Sequence, residues 1–205
     1  MVLYWSISVI LVSISGRASV LISVLSLIHI FMNNETIDTL KSRRSIRAFQ
    51  DRQVADAALD VVLEAGTYAP TGMGMQSPKI VAVQEEKTLQ KLRHLNQKIL
   101  GADSDPYYGA PTILLVFADQ GRSTWVQDGS CVLCNMMNAA HSVGLGSCWI
   151  HREREMFETR EGRALMKEWG IAECYGGIGA LALGYCAGEM PEAAPRKDGY
   201  ILKIK

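Results

Sequence analysis

The chain has 205 residues, of which 48% are hydrophobic, so it is long enough to bury a core of its own. Its 21 basic and 21 acidic residues leave no net charge. This balance gives no overall attraction to nucleic acid or to an anionic membrane surface, so a basic site has to be argued from local spacing.

The first 31 residues differ from the rest, because Ser, Val, Ile and Leu dominate and only Arg17 and His29 interrupt them. No basic region precedes the apolar stretch, as it would in a signal peptide, and Arg17 and the recurrent serines weaken a membrane span. Charge and helix signals begin abruptly at Met32. We therefore interpret residues 1–31 as an apolar leader outside the functional domain and residues 32–205 as one domain. A membrane tether is the less favoured interpretation.

After Met32, stretches with the helical period alternate with short apolar strands without a regular βαβ repeat, which favours an α+β fold. The predicted sheet is mixed, mainly antiparallel and flanked by helices. Predicted helices cover Thr36–Ser42, Val54–Tyr68, Glu85–Leu100, Thr124–Val143 and Glu153–Trp169, the last interrupted near Gly162. Predicted strands cover Lys79–Gln84, Thr112–Ala118, Ser147–His151 and Ile178–Cys186, with an edge strand at Tyr200–Lys205.

Five cysteines, an odd number, do not form the framework of a small disulfide-rich domain. They predict reduced thiols and a cytoplasmic location. Cys131 and Cys134 form a C-x-x-C pair, but no second pair or His cluster accompanies them, so we interpret them as core thiols and expect no metal site.

The strongest local signal is the segment Ser42–Phe49, SRRSIRAF. If it is extended, Arg43, Ser45 and Arg47 point to one side, and two guanidinium groups around a hydroxyl suit a phosphate. A solvated basic turn or a nucleic-acid contact is the alternative.

Three further motifs follow along the chain. The loop Ala69–Pro78 (APTGMGMQSP) has small residues that permit close approach of a flat ligand, and Gln76 adds an amide that suits a ring edge. An ordinary turn is the alternative. The passage GLGSCWIH leads from a helix into a strand and ends at His151. A late basic pair, Arg196 and Lys197, would suit the same phosphate, and a solvated tail is the alternative.

In this order and spacing, SRRSIRAF, APTGMGMQSP, GLGSCWI and ALGY followed by PRK resemble the FMN-dependent nitroreductase family. The resemblance begins near Met32 and reaches the C-terminus. It implies a nitroreductase-like fold, assembled as an intertwined homodimer with FMN at the interface. It also implies NADH or NADPH as the reductant and a small organic molecule as the acceptor.

The resemblance also assigns residues to the cofactor. The flavin ligands that it implies are Arg43, Arg44, Ser45, Arg47, Gln76, Trp149, Ile150, His151, Arg196 and Lys197. At His151 the backbone N–H would face flavin N5, so no catalytic side chain is expected. Gly74 and Ser77 stand where the family often has Asn and Pro, so a side-chain contact from position 74 is absent.

Acceptor specificity lies in variable loops. Tyr107 and Tyr108, in the loop Gly101–Gly109, are the candidates for substrate contact. The function expected is hydride transfer from NAD(P)H through FMN to a nitroaromatic or quinone. Enone reduction, reductive dehalogenation and a non-catalytic flavin-binding role remain open as alternatives.

Overall fold

The computed structural model describes residues 34–205, and the leader, residues 1–31, lies outside them. Residues Thr39–Lys205 form one compact unit. The helices are α1 (Glu35–Ser42), α2 (Asp56–Thr67), α3 (Glu86–Leu100), α4 (Trp125–Ser142), α5 (Glu153–Glu158) and α6 (Arg160–Glu168), with a 3₁₀ turn at Gly72–Gly74. The strands are β1 (Lys79–Val83), β2 (Thr112–Asp119), β3 (Gly146–Ile150) and β4 (Tyr175–Gly184).

The four strands form a sheet in the order β1-β2-β4-β3, and every neighbouring pair is antiparallel. A parallel bridge between Ser45 and Ser147 adds a short extended segment beside β3. The α+β fold with a mixed, mainly antiparallel sheet is therefore confirmed. The helix interruption falls at Thr159, between α5 and α6, instead of near Gly162.

The sheet is covered on both faces, which explains why β2 and β4 are apolar along nearly their whole length. Alternate residues of β2 enter two separate cores. One core lies under α3, α5 and α6 and includes Ile113, Leu115 and Phe117. The other lies under α2 and α4 and includes Leu114 and Val116.

A β-bulge interrupts the β2–β4 ladder. Val116 pairs with Gly179 and Phe117 pairs with Gly177, so Ile178 is an extra residue on β4. The bulge turns both Ile178 and Gly179 toward α4, where Ile178 packs against Gly129. Gly177 consequently faces α5 on the opposite side of the sheet.

The edge strand predicted at Tyr200–Lys205 is wrong, because these residues have no regular secondary structure. Their alternating pattern suits a strand with one buried face, but Tyr200, Ile201, Leu202 and Ile204 are 75–86% exposed. Among residues 34–205, no helix is both long enough and apolar enough to cross a bilayer.

Candidate functional site

The segment predicted to bind phosphate is extended, and it is anchored at both ends. The Ile46 N–H donates to the Ser147 carbonyl of β3 (2.9 Å), and the Ala187 N–H donates to the Ala48 carbonyl (2.9 Å). The Ile46 side chain is buried, and a Cβ at Gly146 would lie 2.8 Å from its Cγ1. The glycine of GLGSCW therefore allows the basic segment to lie against β3.

Arg43, Ser45 and Arg47 act together on Cys148. Burial raises the pKa of the Cys148 thiol, whereas Arg47, a hydrogen bond with Ser45 and Arg43 each lower it. All three residues therefore lie near enough to Cys148 of β3 to affect the pKa of its thiol.

Arg44 differs from its neighbours, because its Nη1 donates to the carbonyls of Lys41 (2.9 Å) and Arg43 (2.6 Å). This guanidinium group therefore satisfies carbonyls at the end of α1. Arg44 therefore has fewer N–H donors left for a ligand than Arg43, whose Nη1 is buried without a hydrogen-bond partner.

The unpartnered buried polar atoms coincide with the predicted ligand segments. In the part of the chain that the structure describes, five buried side-chain N or O atoms have no hydrogen-bond partner. Three of them, Arg43 Nη1, Arg44 Nε and Ser77 Oγ, lie in SRRSIRAF and APTGMGMQSP. Buried donors are rarely left unsatisfied in folded proteins, so a polar ligand at either segment would complete the bonding of that segment. The residues therefore fit an anionic, hydrogen-bonding group such as FMN.

The loop that carries Gln76 is held by a buried carboxylate. Asp128 of α4 accepts from the Gly72 N–H (2.9 Å) and from the Thr124 hydroxyl (3.1 Å), while the Gln76 N–H donates to Thr71 Oγ1 (3.0 Å). The Gln76 side chain is exposed, and the hydrogen bond to Thr71 holds the backbone from which it projects. Asp128 was not predicted from the sequence, because an acidic residue in the first turn of a helix is ordinarily solvated.

Gly74 has φ of 65°, in the left-handed region that both glycine and asparagine tolerate. The departure from the family pattern at this position therefore keeps the backbone conformation that an asparagine would accept and removes only the side chain.

In the third motif, Trp149 is half-buried and its indole covers Gly179, where a Cβ would lie 2.6 Å from Nε1. Ile150 is part of the core under α3, so only its backbone is available to a ligand. The His151 side chain is exposed, and its carbonyl accepts a hydrogen bond from Asn96 Nδ2 (3.4 Å).

The late basic pair is not brought to the Arg43 segment within this chain. Arg196 donates only to the nearby Ala194 carbonyl (3.2 and 2.6 Å), and both Arg196 and Lys197 are exposed. The tail nevertheless begins at the segment, where a shallow cavity of about 240 Å³ is lined by residues 45–48 and by Cys186, Ala187, Glu189 and Pro191.

The prediction that Tyr107 contacts substrate is wrong. Tyr107 is fully buried, and its hydroxyl lies 3.1 Å from both Glu153 Oε1 and Asn96 Nδ2. Tyr108 is 40% exposed, and Arg47 lies over its ring at 5.9 Å from the centroid. Tyr108 alone therefore remains a candidate, now adjacent to the basic segment.

Glu153 is a buried carboxyl group that the sequence analysis missed. Burial raises its pKa to about 8, and the lowering by its own backbone N–H, the Tyr107 hydroxyl and Arg152 does not compensate. Burial also raises the pKa of Tyr107 well above its ordinary value, and Glu153 raises it further. No cluster of potential metal ligands occurs in residues 34–205.

Comparisons with known proteins agree with this architecture. The protein-family model described as "Nitroreductase family" matches residues 40–185 of the chain. Two archaeal proteins provisionally named NADH dehydrogenase/NAD(P)H nitroreductase are each 30% identical to the chain. The match in Methanothermobacter thermautotrophicus covers 56% of this chain and 60% of that protein. The match in Archaeoglobus fulgidus covers 74% of this chain and 85% of that protein.

Among solved structures, a nitroreductase with bound FMN from Bacteroides fragilis superimposes with a TM-score of 0.79 at 31% sequence identity. The superposition covers 84% of this chain and 100% of that one. An FMN-dependent nitroreductase from Clostridium difficile gives a TM-score of 0.75 at 25% identity and covers 83% of this chain and 99% of that one.

The buried Glu153 predicts a pH-dependent stability. Between the ordinary pKa of 4.5 and about 8, the folded chain keeps a proton that the unfolded chain releases, so the free energy of unfolding falls as pH rises. Glu153→Gln removes this titration. We expect the variant to gain stability relative to the natural chain by about 1 kcal/mol per pH unit over this window, and thermal melts between about pH 5 and pH 8 measure it.

Glu158, an exposed residue of the same helix whose carboxylate pairs with Arg154 on the surface, provides the matched control. Glu158→Gln should leave the pH dependence of the melting temperature unchanged. Equal pH dependence in the natural chain and Glu153→Gln would show that Glu153 ionises normally.

Proposed function

The chain belongs to the nitroreductase family, and on that basis we propose that it is an FMN-dependent oxidoreductase. It would take hydride from NADH or NADPH and reduce an organic acceptor such as a nitroaromatic or a quinone. The observation that carries the proposal is the set of unpartnered buried nitrogens of Arg43 and Arg44, in the segment beside β3, which the phosphate of an FMN molecule would satisfy.

The residues proposed to hold FMN fall into four groups. The first is Arg43, Ser45 and Arg47, with a smaller contribution from Arg44, and the second is Gln76 in the loop clamped by Asp128. The third is the stretch from Trp149 to His151, in which Ile150 and His151 contribute backbone. The fourth is Arg196 and Lys197 of the tail.

FMN, when bound, supplies the redox chemistry, so the protein has to bind and orient the cofactor and control access to it. Arg43 provides a planar set of charged donors suited to phosphate oxygens. Arg47, which is exposed beside Tyr108, adds positive charge at the rim of the site. Tyr108 presents an aromatic face to a flat acceptor, with its ring held beside that cation.

A homodimer is proposed on the basis of the apolar surface around α2 and α4. Val61, Tyr68, Met73, Met75 and Val126 are 43–93% exposed on these helices and on the adjoining loop. A second copy of the chain would cover this surface, and its tail, with the exposed residues Tyr200–Ile204, would supply further apolar contact.

Residues 32–205 are proposed to form a single flavin-binding domain, since the family match begins at residue 40 and the folded unit at Thr39. The cytoplasm is the proposed location. All five cysteines lie in the described region and are free, which suits a reducing compartment.

The proposed activity predicts two successive changes of flavin colour. The purified chain should carry about one FMN, since each copy has one basic segment. Under anaerobic conditions NADH or NADPH should bleach it, and a nitroaromatic or quinone should restore the oxidised spectrum. Absorbance during anaerobic titration measures both steps.

A colourless protein that takes up no added FMN would contradict the cofactor assignment. Bound flavin that neither nicotinamide reduces would instead indicate a flavin-binding protein without this activity. If only an enone or a halogenated acceptor restores the oxidised spectrum, that class of compound would be the substrate instead.

Arg43 and Arg44 offer a sharper test of the site. We expect Arg43→Ala to weaken FMN binding by about 1.5–3 kcal/mol, the cost of losing a charge-assisted hydrogen bond. Arg44→Ala should cost less, because its Nη1 is used by the carbonyls of Lys41 and Arg43. Quenching of flavin fluorescence gives both affinities.

Lys98→Ala serves as the charge control, since Lys98 pairs with Glu161 on the surface between α3 and α6. It should leave FMN affinity unchanged. A larger loss for Arg44→Ala than for Arg43→Ala would mean that the ligand lies on the other side of the segment.

A further inference from the structure

The turn between β3 and α5 has an unusual backbone at Arg152, with φ of 86° and ψ of 3°. A residue with a Cβ is disfavoured in this left-handed region, and such a conformation persists only where the surrounding structure imposes it. The turn directly follows Trp149, Ile150 and His151, which are proposed to border the flavin. Its geometry therefore determines where that border lies.

Asn96 of α3 imposes the turn from one side. It is fully buried, its Oδ1 accepts from Arg152 Nε (2.9 Å), and its Nδ2 lies 3.4 Å from the His151 carbonyl oxygen. One amide thus contacts both residues of the turn. A buried asparagine makes such contacts at the cost of desolvation, so its hydrogen bonds specify one arrangement.

Glu153 holds the turn from the other side. Its Oε1 lies 3.1 Å from the Tyr107 hydroxyl and 3.3 Å from Asn96 Nδ2, and its Oε2 is buried without a partner. Its carbonyl lies against β4, where a Cβ at Gly177 would come within 2.5 Å of the oxygen. Among the described ion pairs none includes Glu153, so a negative charge here would be buried and unpaired.

We propose that Asn96 and Glu153, the latter as an uncharged acid, are positioning residues that fix the backbone of His151 and Arg152 at the edge of the flavin site. This inference rests on the proposed function. Neither residue is assigned contact with FMN; both act through the turn.

The groups around Glu153 determine what its ionisation would do. Tyr107 faces the Glu153 carboxyl group from the loop before β2. The charges of Arg152 and Glu155, its neighbours at the start of α5, also affect its pKa. α3 contributes the neutral Asn96, and β4 contributes Gly177. Arg152 is the one cation in this set. A carboxylate at Glu153 would attract its guanidinium group away from Asn96 Oδ1 and so release the turn.

The test measures FMN affinity of the full chain at about pH 7 and about pH 9 by quenching of flavin fluorescence. We expect the natural chain to lose about tenfold in affinity over this interval, because Glu153 ionises near its centre. Glu153→Gln should lose markedly less. Titration of FMN itself is common to both proteins, so the difference between them reports Glu153.

Asn96→Leu tests the second positioning residue, and we expect it to weaken FMN binding about tenfold at both pH values. Its control is Thr112→Val, which alters another fully buried polar residue whose hydroxyl bonds Gln53 and Gln84. This control should lower the melting temperature and leave FMN affinity unchanged, which separates positioning from general stability.

The proposal is overturned if Glu153→Gln loses as much FMN affinity between pH 7 and pH 9 as the natural chain does. It is also overturned if Asn96→Leu binds FMN as tightly as Thr112→Val does. If Asn96→Leu does not fold, the pH comparison alone decides. A natural chain that binds no FMN at either pH would refute the proposed function itself, and this result is distinct from the other two.

Discussion

The burial of β2 and β4 on both faces is the constraint on which the rest of the molecule depends. Side chains of β2 alternate between two apolar cores, and helices cover each of them. No polar ligand can be accommodated in the middle of such a sheet, because desolvated polar groups need partners that these strands do not offer. Ligand-binding groups have to lie at its rim.

The rim at β3 meets this requirement with segments that are distant in sequence. The Arg43 segment lies beside β3 through the Ile46–Ser147 hydrogen bond, and the start of the tail lies beside the segment through Ala48 and Ala187. The loop of Gln76 precedes β1, at the opposite edge of the sheet, and is attached to α4 through Asp128. Each contact is a backbone or buried-carboxylate bond, so exposed side chains at the rim are displayed from rigid supports.

The regular elements were predictable because their hydrophobic periods differ and their ends carry turn residues. The extended course of the basic segment was predictable from the same kind of pattern, and the segment pairs with β3 through Ser45 and Ser147. Tyr107 and Tyr108 show where this reasoning fails. They are adjacent in one loop, and only tertiary packing decides that the first is buried against Glu153 while the second is exposed.

Buried polar residues were the least predictable. Asp128 and Glu153 both occur near the start of helices, where an acidic residue is ordinarily a solvated partner of the helix dipole. Their burial depends on which loop or helix packs above them, and local sequence carries no information about that. The tail shows the converse, since the apolar alternation at Tyr200–Lys205 indicated a strand with one buried face, whereas the structure leaves these residues exposed and without regular secondary structure.

The extra residue at Ile178 fixes the number of residues that β4 must contain. With the bulge, Ile178 and Gly179 fit against α4 and Trp149, and Gly177 fits beneath α5. Deleting Gly177 would restore a regular ladder in which Ile178 pairs with Phe117, so that its side chain would leave α4 and meet the Glu153 carbonyl where a glycine now lies. Substitutions can accumulate in this strand during divergence, whereas a change of one residue in its length would require α4 and α5 to be repacked together.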